Sequence, residues 1–475
     1  MAGELFCIDF GSSYTKVALR PGINGRARLI PHPTNTESGE GFCFPSAALA
    51  DRRGSATRYL FGAEAGRTNL TDGVDSRRNW KPELFTSRDA APIVLEEGLG
   101  ALLASPAFGA LVRQYRVPHQ EVDALRALYQ AANAFAVRPP AAPLARGATE
   151  PATDAVELAV AYFRDLRKKV LETATRFPGH AQADRFPTRL CVPAFGETGE
   201  IAPETRALFT DILGRAGWPV DAECPLISEP VANVIGVLSE GENVVWEPRA
   251  GDEQVNLGRM LRHGPLVKAY RAARKQFALL ICDIGSYTAD FALVRFQTTG
   301  DPDLRPAVSQ QSVPLGIAAL DDRVRVTLPT AKAGWWQSAS NAAREGCKRS
   351  LYVERKAYAT RNRELGDIGT PAELSAVDDC LSAFGAELGR VFRKFCDRHA
   401  VRTCDEVVLT GGGNHIPALR EGLLAAVAGY FNTGYLVRVP PGTRVRSEKA
   451  ILTPEQVRGG SALGGCSVYF NTSYH

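Results

Sequence analysis

The sequence contains no long apolar run, no paired cysteine motif and no histidine cluster. No stretch approaches the roughly 20 apolar residues that a membrane-spanning helix needs. The chain enters a strand-like segment, Leu5–Asp9, without a basic leader. The ten cysteines are scattered, with no C-x-x-C pair among them. We therefore expect no zinc centre, no membrane contact, and unpaired thiols in a reducing compartment, the cytoplasm.

A large excess of charge of one sign is also missing. A formal net charge of +4 on 475 residues gives no reason to expect binding to nucleic acid. With 45% hydrophobic and 23% charged residues, the composition is that of a folded globular protein. A chain of 475 residues exceeds one ordinary hydrophobic core, so two or more domains are expected.

Two distant segments share one pattern: FCIDFGSSYTKVAL at 6–19 and LICDIGSYTADFALV at 280–294. Each has an apolar strand-like run, an aspartate, an apolar residue, a glycine, a hydroxyl-rich turn and a second apolar run. A β-hairpin with such a turn presents successive backbone N–H groups, which form a nest for an anion such as phosphate. The aspartates, Asp9 and Asp283, suit a metal ion bound through water. Two such hairpins predict two similar lobes that face one nucleotide.

The rest of the chain predicts an α/β protein with mixed sheets. Two segments break the alternation of helix and strand, a mainly helical insertion at about 84–150 and a second insertion at about 240–275. Helices are expected at about 154–175, 206–217, 338–363, 373–399 and, as a closing helix, 454–475, with strands at RLCVPAF and EVVLTGGG.

Three further motifs join the two hairpins: ISEPVANVIG around Glu229, REGCKR at 344–349 and LTGGGNHIP at 409–417. In this order and spacing the chain resembles the nucleotide-binding domain of the heat-shock protein 70 family, within the actin-like ATPase superfamily. No single motif is specific, but five in order span nearly the whole chain. The REGCKR motif favours the chaperone branch over actins and sugar kinases.

The resemblance implies a two-lobed actin-like fold, each lobe a duplicated ribonuclease-H-like mixed sheet with flanking helices. Lobe I would comprise residues 1–238 and the closing helix 454–475, and it would include the insertion at about 84–150. Lobe II would comprise residues 239–453 and include the insertion at about 240–275. ATP or ADP would bind between the lobes with magnesium.

The resemblance also assigns catalytic roles. Asp9 and Asp283 would hold hydrated magnesium, and Glu229 would orient the water that attacks the γ-phosphorus. Thr288 would contact the γ-phosphate, and Asp290 would be a polar partner behind the second loop. In such a reaction the protein forms no covalent bond to the phosphate. It catalyses mainly by positioning the reactants and by neutralising charge on the phosphate oxygens.

The binding roles fall into two sets, one for the phosphates and one for the nucleoside. Arg349 or His415 would stack on adenine. The phosphate set is Gly11, Ser12, Ser13, Tyr14, Gly285, Ser286 and Tyr287, and the nucleoside set is Glu345, Lys348, Arg349, Gly411, Gly412, Gly413 and His415.

Two positions depart from the family pattern. The family's catalytic lysine lies four residues after a glycine; counted from Gly62, this position is Gly66, and Arg67 follows it. Arg67 would take the role with a shift of one residue, although a guanidinium cannot release a proton. Tyr287 stands where the family has glycine, and a positive φ there would cost about 1–2 kcal/mol. We therefore expect a slow ATPase, or a nucleotide-binding pseudo-enzyme.

We expect neither the linker nor the peptide-binding β-sandwich of the family after the closing helix. We therefore expect lobe closure to switch a protein partner, bound through the insertions at about 84–150 and 240–275. An actin-like ATPase that forms filaments stays open as an alternative. A small-molecule kinase of the superfamily would need a catalytic aspartate base, for which the sequence shows no motif.

Overall fold

Helices pack against mixed β-sheets, which confirms the predicted α/β class. The chain forms two compact units, Met1–Leu84 with Ala155–His475 and Phe85–Asp154. Apart from Phe85 and Val122, the second unit lies outside the described residues, and with it nearly all of the predicted insertion at about 84–150. The predicted lobe boundary at 238–239 falls inside the first unit and stays a prediction. The structure is a computed structural model that describes residues 4–22, 25–33, 41–54, 57–62, 65, 74–77, 80–85, 122, 155–177, 180–195, 201–239, 244–246, 255–260, 276–297, 307–339, 341–360, 362, 364–443 and 448–470.

The elements alternate along the chain. The strands are β1 (Glu4–Asp9), β2 (Tyr14–Pro21), β3 (Arg28–Leu29), β4 (Phe44–Pro45), β5 (Ala48–Asp51), β6 (Arg58–Phe61), β7 (Val74–Arg77), β8 (Thr188–Val192), β9 (Leu226–Ser228), β10 (Val244–Trp246), β11 (Val255–Met260), β12 (Gln276–Ile284), β13 (Ala289–Gln297), β14 (Ala307–Val313), β15 (Cys404–Thr410), β16 (Phe431–Val439), β17 (Glu448–Ile451) and β18 (Val468–Phe470). The helices are α1 (Ala155–Ala174), α2 (Pro203–Arg215), α3 (Glu229–Ser239), α4 (Ile317–Thr327), α5 (Thr330–Ser338), α6 (Asn341–Lys348), α7 (Pro371–Arg398), α8 (Pro417–Val427) and α9 (Pro454–Ser467). Short 3-10 turns lie at Lys81–Leu84, Ala183–Arg185, Gly412–His415 and Ala428–Tyr430, and a π-helical segment at Arg349–Glu354.

The first hairpin lies in a sheet of order β3-β2-β1-β8-β9, with β4 beside β2. Strands β1 and β2 pair antiparallel, with Asp9 opposite Lys16. Strand β8 runs parallel to β1, and β9 runs parallel to β8. Because parallel strands end at the same edge, Asp9 at the end of β1 and Glu229, directly after β9, lie at one edge of this sheet.

The second hairpin lies in a sheet of order β17-β16-β15-β12-β13-β14-β11-β10-β18. Strands β12 and β13 pair antiparallel, with Asp283 opposite Asp290. Strand β15 runs parallel to β12 and brings Thr410 beside Asp283. The predicted pair of hairpins is confirmed, and each hairpin places its aspartate at the carboxyl edge of its sheet. A small third sheet, β6-β5-β7, completes the described strands.

Helices α3 and α9 pack together between the two main sheets. Helix α3 is buried along its whole length. The surrounding core includes Cys7 of the first sheet and Ile281 of the second. A Cβ atom on Gly236 would lie 1.9 Å from the Gly460 carbonyl oxygen, and one on Gly464 would lie 1.7 Å from the Ala232 carbonyl oxygen. The two helix backbones therefore touch, at a separation that only glycine permits.

Most helices agree with the sequence pattern, but two predicted helices end earlier. Helices α1 and α7 agree closely with the predicted ranges 154–175 and 373–399. The predicted helix 338–363 stops at Glu354, because Arg355 takes a left-handed conformation (φ 56°) and Tyr358 then pairs with Ile368. None of the helices in the described part of the chain is both long and apolar enough to cross a membrane.

The closing helix was predicted too long. It ends at Ser467, and Val468–Phe470 form a strand that pairs in parallel with Val244–Trp246. β-Branched and aromatic residues favour a strand once a partner edge is present. The early part of the 240–275 insertion contributes β10 and β11 to the second sheet, although the sequence shows little strand periodicity there; residues 261–275 lie outside the described residues.

The contact between α3 and α9 predicts the effect of a single methyl group. We expect Gly464→Ala to lower the free energy of unfolding by about 1–3 kcal/mol, because the new Cβ overlaps the Ala232 carbonyl. The matched control is Gly334→Ala in α5, where a Cβ meets nothing within 4 Å. That change should stabilise the protein by about 0.5–1 kcal/mol, since alanine favours a helix. Urea denaturation measures both, and equal stability of the two variants would contradict the contact.

Candidate functional site

Residues from both hairpins line one cleft of about 750 Å³. Helix α3 adds Glu229, and the segments around α6 and β15 add the predicted nucleoside residues. The predicted Arg67, and Gly66 before it, lie outside the described residues. All other predicted catalytic and binding residues line this cleft: Asp9, Gly11, Ser12, Ser13, Tyr14, Glu229, Asp283, Gly285, Ser286, Tyr287, Thr288, Glu345, Lys348, Arg349, Gly411, Gly412, Gly413 and His415.

The turns of the two hairpins touch each other. The Ser13 hydroxyl donates a hydrogen bond to the Ser286 hydroxyl at 2.9 Å. The Ser12 hydroxyl is buried and has no hydrogen-bond partner among the described residues. A Cβ on Gly11 would lie 2.2 Å from the Tyr14 carbonyl oxygen, so this tight turn needs glycine. Hydroxyl groups from both turns therefore meet at one place in the cleft.

The second turn is anchored to the start of α4. The backbone N–H groups of residues 316, 317 and 318 donate to the carbonyl oxygens of Tyr287, Gly285 and Ser286 at 2.7–3.0 Å. A Cβ on Gly316 would lie 2.4 Å from the Ser286 carbonyl oxygen, which explains the glycine before this helix. The position of the second turn is thus fixed by α4.

Tyr287 fits this turn without the predicted backbone strain. Among the described residues, the non-glycine positions with positive φ are Arg355 and Ala400. The expectation of a 1–2 kcal/mol cost at Tyr287 is therefore wrong, because the turn needs no left-handed residue there. The Tyr287 ring instead packs edge-on against Phe195, with centroids 6.0 Å apart. Phe195 follows β8, so this contact joins the second hairpin to a segment of the first sheet.

Lys81 forms a buried ion pair with Glu229 in the cleft. Their side chains are 3% and 9% exposed, and Lys81 Nζ lies 2.5 Å from Glu229 Oε1. The ammonium also lies 5.5 Å from the centre of the Phe10 ring. Sequence reasoning missed Lys81 because it counted from Gly62. A usable signal exists, since Lys81 is the one lysine between residues 17 and 167.

Asp283 is held by two residues that sequence reasoning did not assign. Its Oδ2 atom accepts hydrogen bonds from the Asn233 amide of α3 and, at 3.0 Å, from the Thr410 hydroxyl of β15. Gly411 follows with φ of 80°, and a Cβ there would lie 2.3 Å from Asp283 Oδ1. The glycine of the third motif therefore leaves room for the aspartate of the second hairpin.

Asp290 is buried behind the second turn, as predicted. Its Oδ2 atom accepts from the Thr288 hydroxyl at 3.0 Å and its Oδ1 atom from the Ser312 hydroxyl at 2.5 Å. The Ser312 hydroxyl accepts in turn from the Ala194 N–H at 2.9 Å. Asp290 thereby connects the γ-phosphate residue of the prediction, Thr288, to the segment after β8.

The pKa values of several carboxyl groups in the cleft are raised, mainly by burial and secondly by the charges of neighbouring carboxylates. Burial raises the pKa of Glu229 to about 7, against the opposing effect of Lys81 and with the help of Asp9. The pKa of Asp283 rises to about 6, with the charge of Asp9 as the second cause. The pKa of Asp290 rises well above its ordinary range, with Glu229 and Asp283 as further causes. The site would bind a cation favourably, because a positive charge relieves this repulsion.

The aspartates fit a hydrated magnesium ion better than a closely ligated metal. Within the described residues no group of three or more His, Cys, Asp or Glu side chains is disposed to hold a metal by itself. Magnesium keeps several waters and takes one or two carboxylates together with substrate phosphates. Asp9 and Asp283 provide such a pair of carboxylates in the cleft.

At the end of the cleft that the sequence predicts to hold the nucleoside, here called the nucleoside end, α6 continues into the π-helical segment Arg349–Glu354, which lines the cleft. Such segments are rare and concentrate at functional sites. Lys348 Nζ lies 2.6 Å from Asp321 Oδ2 and 2.9 Å from Glu345 Oε1. The Tyr352 hydroxyl donates to Asp321 Oδ1 at 2.9 Å. Asp321 of α4, which sequence reasoning missed, therefore fixes two side chains of this end.

His415 is neutral at physiological pH. Burial, together with the positive charges of Arg458, Arg420 and Arg349, lowers its pKa to about 4. A neutral imidazole beside a guanidinium can stack on an aromatic ring without adding a positive charge to the site.

Comparison with protein-family models gives no match to this chain, and a search of the curated proteins finds no match either.

The buried network at the nucleoside end predicts a contrast between neighbouring aspartates of α4. We expect Asp321→Ala to lower the free energy of unfolding by about 1–3 kcal/mol, because the Lys348 ammonium and the Tyr352 hydroxyl each lose a partner in a largely buried site. The matched control is Asp322→Ala, whose side chain is 62% exposed and lies 3.5 Å from Arg325. That change should cost less than about 0.5 kcal/mol. Similar losses in both variants, measured by urea denaturation, would show that Asp321 does not fix this end.

Proposed function

We propose that this protein binds ATP in the cleft and hydrolyses it slowly to ADP and phosphate. The observation that carries the proposal is the meeting of two matching hydroxyl-rich turns, with Ser13 and Ser286 at 2.9 Å, in one cleft with the buried Lys81–Glu229 ion pair. Turns of this kind bind phosphate, and the ion pair provides a cation and a base. The alternative of a small-molecule kinase has no specific observation in its favour.

In this proposal the two main sheets belong to the two lobes of an actin-like fold, closest to the heat-shock protein 70 family. Each lobe would be a duplicated ribonuclease-H-like sheet with flanking helices. Helices α3 and α9, in contact through Gly236 and Gly464, would form the hinge on which the lobes close. Closure would switch a protein partner, and the insertions at about 84–150 and 240–275 stay the proposed contact regions.

The phosphates would bind at the two turns. Backbone N–H groups of each turn and the hydroxyls of Ser12, Ser13 and Ser286 would donate hydrogen bonds to phosphate oxygens. The Ser12 hydroxyl supports this assignment, because it is buried without a hydrogen-bond partner among the described residues. Thr288 would contact the γ-phosphate from its place in front of Asp290. A phosphate would thus satisfy hydroxyl groups that already line the cleft.

Glu229 is the proposed general base. A water oxygen would attack the γ-phosphorus, its proton would pass to the Glu229 carboxylate, and the bond to the bridging oxygen would break to release ADP. A base works best when its pKa lies near the working pH, and that of Glu229 is about 7. Lys81 would neutralise charge on the γ-phosphate, the role that the sequence pattern gave to Arg67. Slow turnover is expected because the ion pair with Lys81 restrains the base.

Magnesium would be held through water by Asp9 and Asp283. When bound, it would neutralise charge on the phosphate oxygens. Asn233 and Thr410 keep the Asp283 carboxylate in place for this role. At the other end of the cleft, Arg349 and the neutral His415 would lie against the base of the nucleotide.

Titration calorimetry and a phosphate-release assay test the proposal. We expect the protein to bind both ATP and ADP with magnesium and to turn over below the enzyme median of about 10 per second. Asp283→Asn should lower hydrolysis by about 100-fold or more and remove the small magnesium dependence of affinity, because it removes one of the two carboxylates proposed to hold magnesium. The matched control is Asp379→Asn on the exposed face of α7, which should change neither. Absence of nucleotide binding in the unaltered protein would overturn the proposal.

The pKa of Glu229 predicts the pH dependence of hydrolysis. Glu229 accepts a proton only when ionised, and its pKa is raised by burial to about 7. The steady-state rate should therefore rise about tenfold between pH 6 and pH 8 and level off above. Glu229→Gln should give a low rate with no such rise. A rate that falls with pH over this range would assign the base to another group.

A further inference from the structure

The two hairpins differ in charge at one equivalent position. In each hairpin the aspartate faces a residue across the strand pair, Asp9 opposite Lys16 in the first and Asp283 opposite Asp290 in the second. Directly opposed side chains of an antiparallel pair project on the same side of the sheet. The first hairpin therefore presents a neutral pair to the cleft, and the second presents two acidic groups.

Lys16 lies inside the cleft and keeps its charge there. Its Nζ atom is 3.2 Å from Asp9 Oδ2, and the two side chains are 16% and 11% exposed. A lysine side chain is an ammonium at physiological pH, and the Asp9 carboxylate beside it favours this charged form.

The ammonium also lies beside the first turn. A Cβ on Gly11 would be 3.6 Å from Lys16 Nζ, so the charge sits next to the backbone that would hold phosphate. An ammonium has three N–H donors, and Asp9 takes one of them. The other two have no acceptor among the described residues. A phosphate at the first turn would supply acceptors for both.

We propose that Lys16 is a built-in counter-ion for the nucleotide phosphates, which lets the cleft hold a nucleoside diphosphate with little dependence on a divalent cation. The inference rests on the proposed nucleotide binding and deepens it. In the first hairpin the Lys16 side chain supplies the positive charge opposite the aspartate. The second hairpin has Asp290 at this position, so a positive charge beside Asp283 would have to come from a bound cation.

The test compares the affinity for ADP in excess magnesium with that in excess EDTA, by titration calorimetry. The affinity of the unaltered protein for ADP should be at most about tenfold lower in EDTA than in magnesium. Lys16→Met should lower the affinity for ADP in EDTA by on the order of 10- to 100-fold more than it lowers the affinity in magnesium. A loss of this size corresponds to one or two charge-assisted hydrogen bonds. Lys16→Arg keeps the charge and should stay near the unaltered protein. Lys168→Met, on the exposed face of α1, is the control for loss of one positive charge.

Two results would overturn the inference. One is loss of ADP binding in EDTA by the unaltered protein, and the other is an equal ratio of the two affinities in Lys16→Met and the unaltered protein. Failure of the unaltered protein to bind ADP even in magnesium would instead overturn the proposed function. Thermal melting checks that each variant is folded. If Lys16→Met does not fold, the double variant Asp9→Asn/Lys16→Met, compared with Asp9→Asn, gives the same ratio without a buried unpaired carboxylate.

Discussion

The direct contact between the backbones of α3 and α9 sets the geometry of this protein. Glycines at 236, 460 and 464 let the two helices approach until carbonyl oxygens of one meet Cα atoms of the other. Both helices pack against both main sheets, so their separation fixes the distance between the carboxyl edges of those sheets. That distance allows Ser13 of one hairpin to reach Ser286 of the other. A larger side chain where the two helices cross would therefore change the distance between the two turns in the cleft.

The same closeness creates the electrostatic character of the cleft. Carboxylates from two sheets and from α3 crowd together, and burial disfavours their charged forms. The pKa values of Glu229 and Asp283 rise towards neutrality as a result. Lys81 and Lys16 offset part of the negative charge. A ligand that brings phosphates together with a cation would neutralise the remaining negative charge of the carboxylates and pair the two lysines. A neutral ligand would leave these charges unneutralised.

The local elements of the site were predictable from the sequence, because each is a short pattern. A strand, an aspartate, a glycine and a hydroxyl-rich turn predict a hairpin wherever they occur, and both hairpins formed as expected. Helices α1 and α7 follow from apolar periodicity in the same way. The strain expected at Tyr287 was wrong, because the φ of one turn residue depends on how α4 anchors the turn. The strand at Val468–Phe470 was missed because its partner, β10, is distant in sequence.

The sequence alone determined the α/β class, the two hairpins and the residues of their two turns that line the cleft, since these depend on local patterns of apolar, glycine and acidic residues. Only the tertiary structure paired Lys81 with Glu229 and Asp321 with Lys348. It also showed that equivalent positions of the two hairpins carry opposite charges, Lys16 and Asp290, in one cleft. The reason is physical: a contact between residues far apart in the chain depends on how helices and sheets pack, and no local pattern encodes that distance.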